Sequence, residues 1–527
     1  MQSAVEHTAK LQALDEGTRL WVQGLLDRVA QQSAVIERQG QELVFSKAKN
    51  EKLNFELALL KRMKFAAKSE ALNDGQRNLL EDDADEDIAA VEQEIVNLED
   101  AQPNKSERKQ PKRQSLPADL PREEFHHEPE STTCDCGEPM KRIGEDVAEK
   151  LDYVAGMFTV QRHVRGKWAC ACCERITQAP VEPHIIDKGI PTEGLLAQVL
   201  VAKYAGHLPL YRQEAIFGRS GLAIPRSTLA AWVGQCGVQL QPVVHALKAE
   251  ILDTTIVHAD ETPVQMLKPA NGKTHRAYLW AYAPGEHEGI KGVVYDFTES
   301  RAGKHAQGFL KNWSGALLVD DFAGYKQLFN EQITELGCWA HARRKFFELH
   351  AANQSSIAKD ALEQIAPLYE VEREAKDQSP ERRQALGQER SKPVFDKLKN
   401  WLIEHKRRVP DNSATARAID YSLKRWAALV RYVDNGHMPI DNNLIERQIR
   451  PIALGCKNWL FAGSVRAGQR AAAIMSLINS AKLNGIEPHA YLKDVMQRPW
   501  PLKSSWIGQC RQLPSLRKQY FVRSSRG

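Results

Sequence analysis

Long apolar runs are missing from this sequence. Nowhere do uncharged apolar residues approach the ~20 consecutive positions that a helix needs to cross a bilayer. The opening residues, MQSAVEHTAK, also lack the basic segment and apolar core of a secretory signal. These absences argue against a membrane protein, and we expect a cytoplasmic protein with no membrane partner.

A strong overall charge is missing too. The 72 Lys and Arg residues nearly balance the 67 Asp and Glu residues, and the formal net charge is only +5. The distribution is more uneven, because residues 81–100 hold ten acids and no base, and residues 498–527 hold seven bases and no acid. Such runs are typical of solvated tails or linkers, and a specific binding role is the alternative.

A disulfide framework is excluded by the nine cysteines, an odd number spread unevenly over a long chain. Instead they cluster in CDCG at 134–137 and CACC at 170–173, joined by a stretch of alternating apolar residues that predicts a hairpin. Paired thiolates on a hairpin are typical of a small structural zinc site. We predict as ligands Cys134, Cys136, Cys170 and Cys173. Cys172 competes with Cys173, and reduced structural cysteines are the alternative.

A seven-residue repeat marks the N-terminal region. From about residue 20 to 65 there is no proline, and one position in seven is occupied by Val22, Val29, Ile36, Leu43, Asn50 and Leu57. This seam predicts a coiled-coil helix that joins copies of the chain, with Asn50 as a register-setting polar position. The second stripe is weaker, and an amphipathic helix packed on the body of the protein is the alternative.

Short helices are predicted between residues 190 and 245. One follows Pro191 and Thr192, a second follows Pro209, and a third is capped by Ser227 after a glycine-containing turn. The last two resemble a helix-turn-helix that would present Arg226 and Thr228 to DNA. A three-helix unit without any DNA role is the alternative.

The next part of the chain predicts a sheet that carries acids. TTIVHADETPV is a buried strand that delivers Asp260 at its tip, and GALLVDDFAGY is a later strand that delivers Asp320. Further strands at 275–283 and 292–298 and a last short one give the order three strands, helix, strand, helix or turn, strand. That is the order of an RNase H-like sheet. Two-metal cleavage of a phosphodiester needs several carboxylates that converge on ions roughly 3.5–4 Å apart.

A third acid is expected from a helix packed across the same end of the sheet. After a long helical segment the chain reads PIDNNLIERQIRP, in which Asp441 or Asn442 caps a helix and Arg450-Pro451 ends it. Glu446 lies about one turn into that helix. It shares a face with Asn443 and Arg450, which suits contact with metal and phosphate.

Several of these motifs together resemble one family. HADETP, VDDFAGY, CWAHARRKF, DNNLIERQIRP, KNWLFAGS and SLINSAKLNGIEPHAYL are similar to motifs of the bacterial insertion-sequence transposases of family sixty-six. The resemblance covers nearly all of the chain. It implies an RNase H-like DDE transposase that uses two Mg²⁺ (or Mn²⁺) ions to free 3′ hydroxyls at the element's ends and join them to target DNA.

The resemblance also implies roles for individual residues. The catalytic, metal-binding acids are Asp260, Asp320 and Glu446, with Asp321 as a competitor for the second position and Glu261 as a supporting neighbour. Cys338 and His341 form a Cys-x-x-His step that supports the active site or DNA, and a core cysteine and buried histidine are the alternative. His341 is not expected to bind Mg²⁺, which prefers oxygen ligands. The residues predicted to contact DNA are Arg226, Thr228, Arg343, Arg344, Arg447, Arg450, Lys457 and Trp459.

The partners implied are double-stranded DNA (the element's terminal repeats and the target), further copies of the chain, and accessory proteins encoded beside it, in a nucleoid-associated setting. A nuclease or resolvase that cuts without joining is one alternative function, and a domesticated DNA-binding protein is another.

The fold class predicted is multidomain α+β. In chain order its regions are a leucine-zipper-like helix at 1–70, a charged linker at 71–125, a cysteine-rich zinc-binding β domain at 126–185, a helix-turn-helix-like region at 186–250, the first part of the catalytic core at 251–350, an all-helical insertion at 351–435, the second part of the core at 436–485, and a C-terminal segment with a basic tail at 486–527.

Overall fold

A computed structural model describes most of the chain, and it divides into two compact units. The residues described are 16–66, 74–99, 116, 118, 120–154, 157–180, 184–186, 189–268, 273–459 and 461–498. One unit contains residues 16–66 and 91–99 of these, and the other contains the rest. Among the described residues, no helix combines the length and the apolar composition that a bilayer crossing requires.

The smaller unit consists of helix α1 (Glu16–Ala66) and the C-terminal part of helix α2 (Asp74–Glu99). Its core is the buried cluster of Leu53, Val91 and Ile95, against which Leu57, Leu60 and Leu98 pack. The last heptads of α1 are thus covered within the chain. The earlier seam positions Val29, Ile36 and Leu43 are exposed.

The linker predicted for residues 71–125 is wrong over residues 74–99, which form α2. The acids of this segment are not solvated, because Asp82, Glu86 and Asp87 are each only 1% exposed. Arg470 forms ion pairs with Glu86 and Asp87 at 2.7 and 2.9 Å, and Lys203 also pairs with Glu86. Buried cations therefore give the acidic run a partner that makes a packed helix favourable.

The cysteine-rich region is a small sheet of strands β1 (Arg122–His127), β2 (Met140–Val154), β3 (Met157–Cys170) and β4 (Ile176–Gln178). Strands β2 and β3 form the predicted hairpin, with antiparallel register from Val154↔Met157 to Met140↔Cys170. Strand β1 pairs in parallel with Val160–Arg165 of β3, and β4 pairs antiparallel with Lys167–Ala169 further along the same edge of β3, opposite β2. The hairpin therefore brings the two cysteine pairs to one end.

Four helices follow: α3 (Glu193–Tyr204), α4 (Leu210–Arg219), α5 (Arg226–Gln239) and α6 (Gln241–Ile251). Thr192 caps α3, since its hydroxyl accepts a bond from the Leu195 N–H. The predicted cap at Ser227 is wrong, because α5 begins at Arg226, directly after Pro225, and Ser227 lies within its first turn. The Glu214 carboxylate of α4 accepts the Arg226 N–H at 2.9 Å and takes the place of a local cap.

A five-stranded mixed sheet forms the centre of the larger unit. Its strands are β5 (Ile256–Lys268), β6 (Lys273–Pro284), β7 (Val294–Thr298), β8 (Gly315–Val319) and β9 (Ile333–Gly337), in the order β7-β6-β5-β8-β9. The first three strands are antiparallel neighbours, and β5, β8 and β9 are parallel. The sequence of elements along the chain is the predicted one, with helix α7 (Lys304–Phe309) before β8 and a 3₁₀ turn (Ala323–Leu328) after it.

The long segment after β9 is helical, as predicted. Its own hydrophobic core includes Trp339, Phe346, Phe395 and Leu402. The elements are α8 (Trp339–Asn353), α9 (Ser356–Ala375), α10 (Pro380–Leu386), a π-helical stretch (Gly387–Ser391), α11 (Lys392–Arg408), α12 (Ala414–Lys424), α13 (Trp426–Val430) and a 3₁₀ turn (Arg431–Asp434).

Three further helices, α14 (Asn443–Trp459), α15 (Val465–Leu483) and α16 (Pro488–Gln497), complete the described fold. The predicted end of α14 at Arg450-Pro451 is wrong, because the helix continues through Pro451 to Trp459. Packing of Ile445, Ile449 and Ile452 against Val264 and Met266 of β5 holds the helix in register on both sides of the proline. Tertiary burial here outweighs the cost of an interior proline.

Candidate functional site

Asp260 lies on β5, and Asp320 directly follows the neighbouring parallel strand β8. The β5–β8 ladder ends at His258↔Leu318, two residues before each acid, and Asp320 is close enough to raise the pKa of Asp260. The prediction that Asp260 ends its strand is wrong, because β5 continues to Lys268 in its pairing with β6. What ends before Asp260 is the β8 ladder, and this leaves the edge of β5 open beside the acid.

Burial and neighbouring charge make Asp260 hard to ionise. Burial raises its pKa to about 8, with Glu261, Asp320 and Glu446 adding like-charge repulsion. Its Oδ1 accepts a bond from the Glu261 N–H at 2.8 Å, which acts in the opposite direction. Among the described residues, neither Asp260 nor Asp320 forms an ion pair with a basic side chain. The three predicted acids are therefore brought within electrostatic reach of one another.

Glu261 is held by partners of its own. Arg301 Nε donates to its Oε1 at 2.7 Å and the Tyr325 hydroxyl donates to its Oε2 at 2.8 Å. Side chains alternate along a strand, so Glu261 projects to the face opposite Asp260. Its pKa is nevertheless raised, first by burial. Sequence reasoning did not single out Arg301 or Tyr325, because neither stands in a pattern that reveals a partner about 40 or more residues away.

The neighbours Asp320 and Asp321 have different surroundings. Asp320 Oδ1 accepts the Phe322 N–H at 2.8 Å, which fixes the turn after β8. Asp321 Oδ1 instead lies 3.1 Å from Arg425 Nη1 and 3.3 Å from Lys326 Nζ. Asp321 is thus paired with two cations, whereas the charge of Asp320 raises the pKa of Asp260.

Asn442 anchors the helix that carries Glu446. Its side chain is fully buried, and its Nδ2 donates to the Ala259 carbonyl oxygen of β5 at 2.9 Å. Its Oδ1 then faces His258, whose Nδ1 donates at 2.8 Å. The backbone oxygen of Asn442 accepts the Glu446 N–H at 3.2 Å. The side chain of Asn442 therefore joins the first turn of α14 to the strand of Asp260. Asp441 caps the start of the helix instead, since its Oδ1 accepts the Asn443 N–H.

Glu446 has a mixed environment. Arg344 Nη2 donates to its Oε2 at 3.0 Å, while His341 Nδ1 lies 3.6 Å from its Oε1. The Sγ of Cys338, the ring nitrogen of His341 and the Glu446 carboxylate lie within 4.8 Å of one another. The predicted Cys-x-x-His step thus meets the third acid directly.

The residues predicted to contact DNA fall into four groups. Arg343, Arg344, Arg447 and Arg450 have exposed side chains on α8 and α14, the two helices that meet at Glu446. Arg226 is paired with α2, since its Nε lies 3.0 Å from Asp82 Oδ1 and its Nη2 lies 2.5 Å from Glu81 Oε2. Thr228 is half-buried in the first turn of α5. The side chains of Lys457 and Trp459 lie outside the described residues.

The four predicted zinc ligands form a compact group. Sulfur–sulfur distances are 3.1 Å for Cys134–Cys173, 3.6 Å for Cys136–Cys170 and 4.0 Å for Cys136–Cys173. All four sulfurs lie within 4.8 Å of one another, and the exposed Cys172 is outside the group.

This arrangement fits a tetrahedral ion. Zinc–thiolate bonds of about 2.3 Å set the sulfurs about 3.8 Å apart, within the range of these distances. Backbone N–H groups of Cys173 and Cys172 lower the pKa of Cys170 to about 7, whereas the neighbouring thiols raise the pKa values of Cys136 and Cys173, so a bound cation would be needed to hold all four as thiolates. The cysteine cluster therefore suits a structural zinc ion.

Comparison with known proteins gives four family matches along the chain. Residues 188–470 match the family described as "Transposase IS66 family", and residues 131–174 match "zinc-finger binding domain of transposase IS66". Residues 52–125 match "Transposase C of IS166 homeodomain", and residues 476–499 match "IS66 C-terminal element".

Two relatives from Sinorhizobium fredii are described as uncharacterized proteins. One, y4jD, is 36% identical over 494 residues, covering 87% of this chain and 96% of its own length. The other, y4qI, is 35% identical over 482 residues, covering 86% of this chain and 89% of its own length. By these matches the chain belongs to the IS66 family of insertion-sequence transposases.

Proposed function

We propose that the chain binds the two ends of its insertion sequence, cleaves a strand at each end, and joins the freed 3′ hydroxyls to target DNA. The acids Asp260, Asp320 and Glu446 form the catalytic centre on a sheet of the RNase H-like type. The observation that carries the proposal is the grouping of these three carboxylates, from two adjacent strands and one helix, around a strand edge with no basic partner for the two aspartates among the described residues.

The donor set supports a divalent cation. The pKa of Asp260 is raised to about 8, first by burial and then by repulsion from Glu261, Asp320 and Glu446, so an added positive charge would stabilise its ionised form. Oxygen donors are those that Mg²⁺ prefers, and Mn²⁺ accepts the same set. We propose that Asp260, Asp320 and Glu446 hold two such ions. When bound, they activate the attacking oxygen and stabilise the leaving oxygen of the phosphodiester.

Other side chains of the site orient the acids. Arg301 and Tyr325 bond Glu261 and so fix β5 from the face opposite Asp260. Asn442 bonds the Ala259 carbonyl oxygen and so fixes the position of α14 relative to β5. Arg344 bonds Glu446 and has an exposed guanidinium, as have Arg447 and Arg450. Exposed arginines beside an acidic centre suit the phosphates that flank a scissile bond. Their role is to position DNA, and they do not transfer protons in the reaction.

The direct test uses labelled DNA fragments that carry the two ends of the element, a target plasmid, and Mg²⁺. Wild-type chain should yield nicked ends and joined product. Asp260→Asn, Asp320→Asn and Glu446→Gln should each lose both products by about 10²-fold or more, because transition-state charge loses its stabilisation. Asp321→Asn is the matched control, since Asp321 pairs with Arg425 and Lys326, and it should keep most of the activity.

Four outcomes would change the proposed function or the assignment of the acids. Joined product that persists in Asp260→Asn contradicts the assignment of the catalytic acids. Nicking without joined product favours a nuclease or resolvase. Binding of the ends without either product, under conditions where the chain is folded, favours a DNA-binding protein. Loss of activity in Asp321→Asn but not in Asp320→Asn would exchange the roles of these neighbours.

The cysteine domain and the N-terminal helix complete the proposal. We assign Zn²⁺ to Cys134, Cys136, Cys170 and Cys173, because the apolar cluster at this end contains little besides Met140 and the edge of Trp168. Holding two DNA ends requires at least two active sites, and the exposed apolar seam of α1 supports a homodimer or higher oligomer. Zinc content and sedimentation of the full chain test these two assignments.

A further inference from the structure

The Cys338–His341–Glu446 group contains two buried polar atoms without a partner. His341 Nδ1 and Glu446 Oε1 are both inaccessible to solvent and make no hydrogen bond in the described structure. They face each other at 3.6 Å, slightly too far for a hydrogen bond. Unpaired buried polar atoms are costly, and two that face each other point to a missing ligand.

The third member supplies a sulfur donor. Cys338 is fully buried at the start of α8, and its Sγ accepts the Asn442 N–H at 3.2 Å. Sγ, the histidine nitrogen and the carboxylate oxygen lie within 4.8 Å of one another. One sulfur, one imidazole nitrogen and one carboxylate oxygen form a donor set for zinc or a similar borderline metal, whereas Mg²⁺ discriminates against sulfur and nitrogen.

We propose that Cys338, His341 and Glu446 form a second transition-metal site that takes Zn²⁺ or Co²⁺ and is separate from the four-thiol cluster. The 3.6 Å between Nδ1 and Oε1 is close to the ligand–ligand spacing of about 3.4 Å expected for tetrahedral zinc with bonds near 2.1 Å. Cys338 Sγ completes three protein ligands, and binding replaces the thiol proton by the metal. His341 and Glu446 are 20% and 25% exposed, which leaves the fourth position to water.

Sharing of Glu446 has a consequence for activity. Glu446 Oε2 is bonded to Arg344, so Oε1 is the oxygen that remains for a metal. A zinc ion on Oε1 withdraws this carboxylate from the Mg²⁺-binding acids assigned above. Zinc at this site therefore inhibits the cleavage activity, and this part of the inference depends on the proposed function, whereas the binding itself does not.

The experiment uses full-length, metal-depleted chain to which one equivalent of Zn²⁺ is added to fill the four-thiol cluster. Co²⁺ is then titrated without DNA or Mg²⁺, and the sulfur-to-cobalt charge-transfer band is recorded. Wild type should bind one further Co²⁺ per chain with the band intensity of a single thiolate. Cys338→Ser should lose the band. His341→Asn should weaken Co²⁺ binding by at least about 10-fold, because losing even a residue that only hydrogen-bonds a metal ligand costs about that much in affinity. Cys236→Ser, which removes another buried cysteine, is the matched control.

The outcomes are distinct. A wild-type chain that shows no single-thiolate band, or a band that survives in both Cys338→Ser and His341→Asn, overturns the site. Where Cys338→Ser fails to fold by circular dichroism, the partly exposed His341→Asn decides alone. The ratio of DNA cleavage with and without added Zn²⁺ should fall in wild type and stay near one in His341→Asn. Cobalt binding in a chain without cleavage activity would refute the proposed function and leave this inference standing.

Discussion

The side-chain amide of Asn442 donates to the backbone oxygen of Ala259 across 2.9 Å, which joins helix α14 to the strand that carries Asp260. Two of the three proposed catalytic acids thus depend on one buried side chain for their relative position. Asn442→Ala leaves the Ala259 oxygen and the His258 ring without partners. We expect a local destabilisation of about 2–4 kcal/mol, with faster hydrogen exchange in β5 and the first turn of α14.

Asn400→Ala is the control for this change, because Asn400 is exposed on α11 and its replacement should alter stability by at most about 0.5 kcal/mol. Equal exchange rates in β5 for both variants would show that the Asn442 contact is not holding the two elements together.

Metal binding at the proposed catalytic centre should release a proton. Burial, with repulsion from Glu261, Asp320 and Glu446, raises the pKa of Asp260 to about 8, so the metal-free carboxyl is mostly protonated at pH 7. A raised acid pKa contributes stability to the folded state that is fully present below the ordinary carboxyl pKa of 3.8 and is lost as pH rises from there to about 8. Mg²⁺ needs the ionised form, so its apparent affinity should rise with pH up to about 8, by at most about 10-fold per pH unit for one displaced proton.

Calorimetric titration of Mg²⁺ in buffers of different ionisation enthalpy measures that proton directly. We expect close to one proton released per chain at pH 7 in wild type and markedly less in Asp260→Asn. Proton release that is the same in both proteins would assign the titration to another group.

The zinc cluster offers a matched pair of adjacent cysteines. Cys173 lies 3.1 Å from Cys134 within the cluster, whereas Cys172 is exposed and outside it. Cys173→Ser should remove the cluster's zinc, measured by atomic emission, and make β1–β4 sensitive to protease, because little apolar core remains there. Cys172→Ser should retain both zinc and protease resistance. The reverse result would place Cys172 among the ligands.

Neutralising the acids that pair with Arg226 should strengthen DNA binding. Glu81 and Asp82 hold its guanidinium at 2.5 and 3.0 Å, and Glu81→Gln with Asp82→Asn weakens this pairing in favour of a phosphate. We expect higher affinity for DNA. The fall of log affinity with log salt concentration should also become steeper by about one unit of slope. Adding Arg226→Ala to the same background should remove the gain. A gain that persists without Arg226 would mean that the effect is a general loss of negative charge.

The exposed seam of α1 predicts association between copies. Val29 and Ile36 are 58% and 67% exposed at heptad positions, and Val44 is 70% exposed outside the seam. Val29→Glu with Ile36→Glu should reduce the mass found by sedimentation velocity, because two charges would face an apolar partner surface. Val44→Glu should leave the mass unchanged. Equal masses for all three proteins would remove the seam from the account of oligomer formation.

Much of the fold could be predicted because the signals were local. The alternating apolar residues after CDCG predicted the β2–β3 hairpin, and the β-branched run before Asp260 predicted β5. Errors arose where distant residues changed a local preference. An acidic run alone has no reason to be buried and so predicts a linker over residues 74–99, whereas the structure pairs its acids with Lys203, Arg226 and Arg470.

Pro451 was read as a helix end for a similar reason. Alone, proline favours termination, but Ile445, Ile449 and Ile452 bury the helix against β5 on both sides of it. Arg301, Tyr325 and Asn442 were not recognised as supports of the site, because their partners lie about 40 to 180 residues away in the sequence.

By itself the sequence determined which residue types are available for chemistry: the acids at Asp260, Asp320 and Glu446, the two cysteine pairs, and the strands and helix that carry them. Periodicity and side-chain chemistry are properties of short segments, and they survive without knowledge of the fold. Only the tertiary structure decided which neighbour takes which partner. In the fold Asp321 pairs with Arg425, whereas Asp320 interacts with Asp260. Cys173, and not Cys172, lies in the group that contains Cys134. Adjacent residues of the same type differ only in direction and surroundings, and those are set by strand register, turn geometry and the charges that distant segments bring.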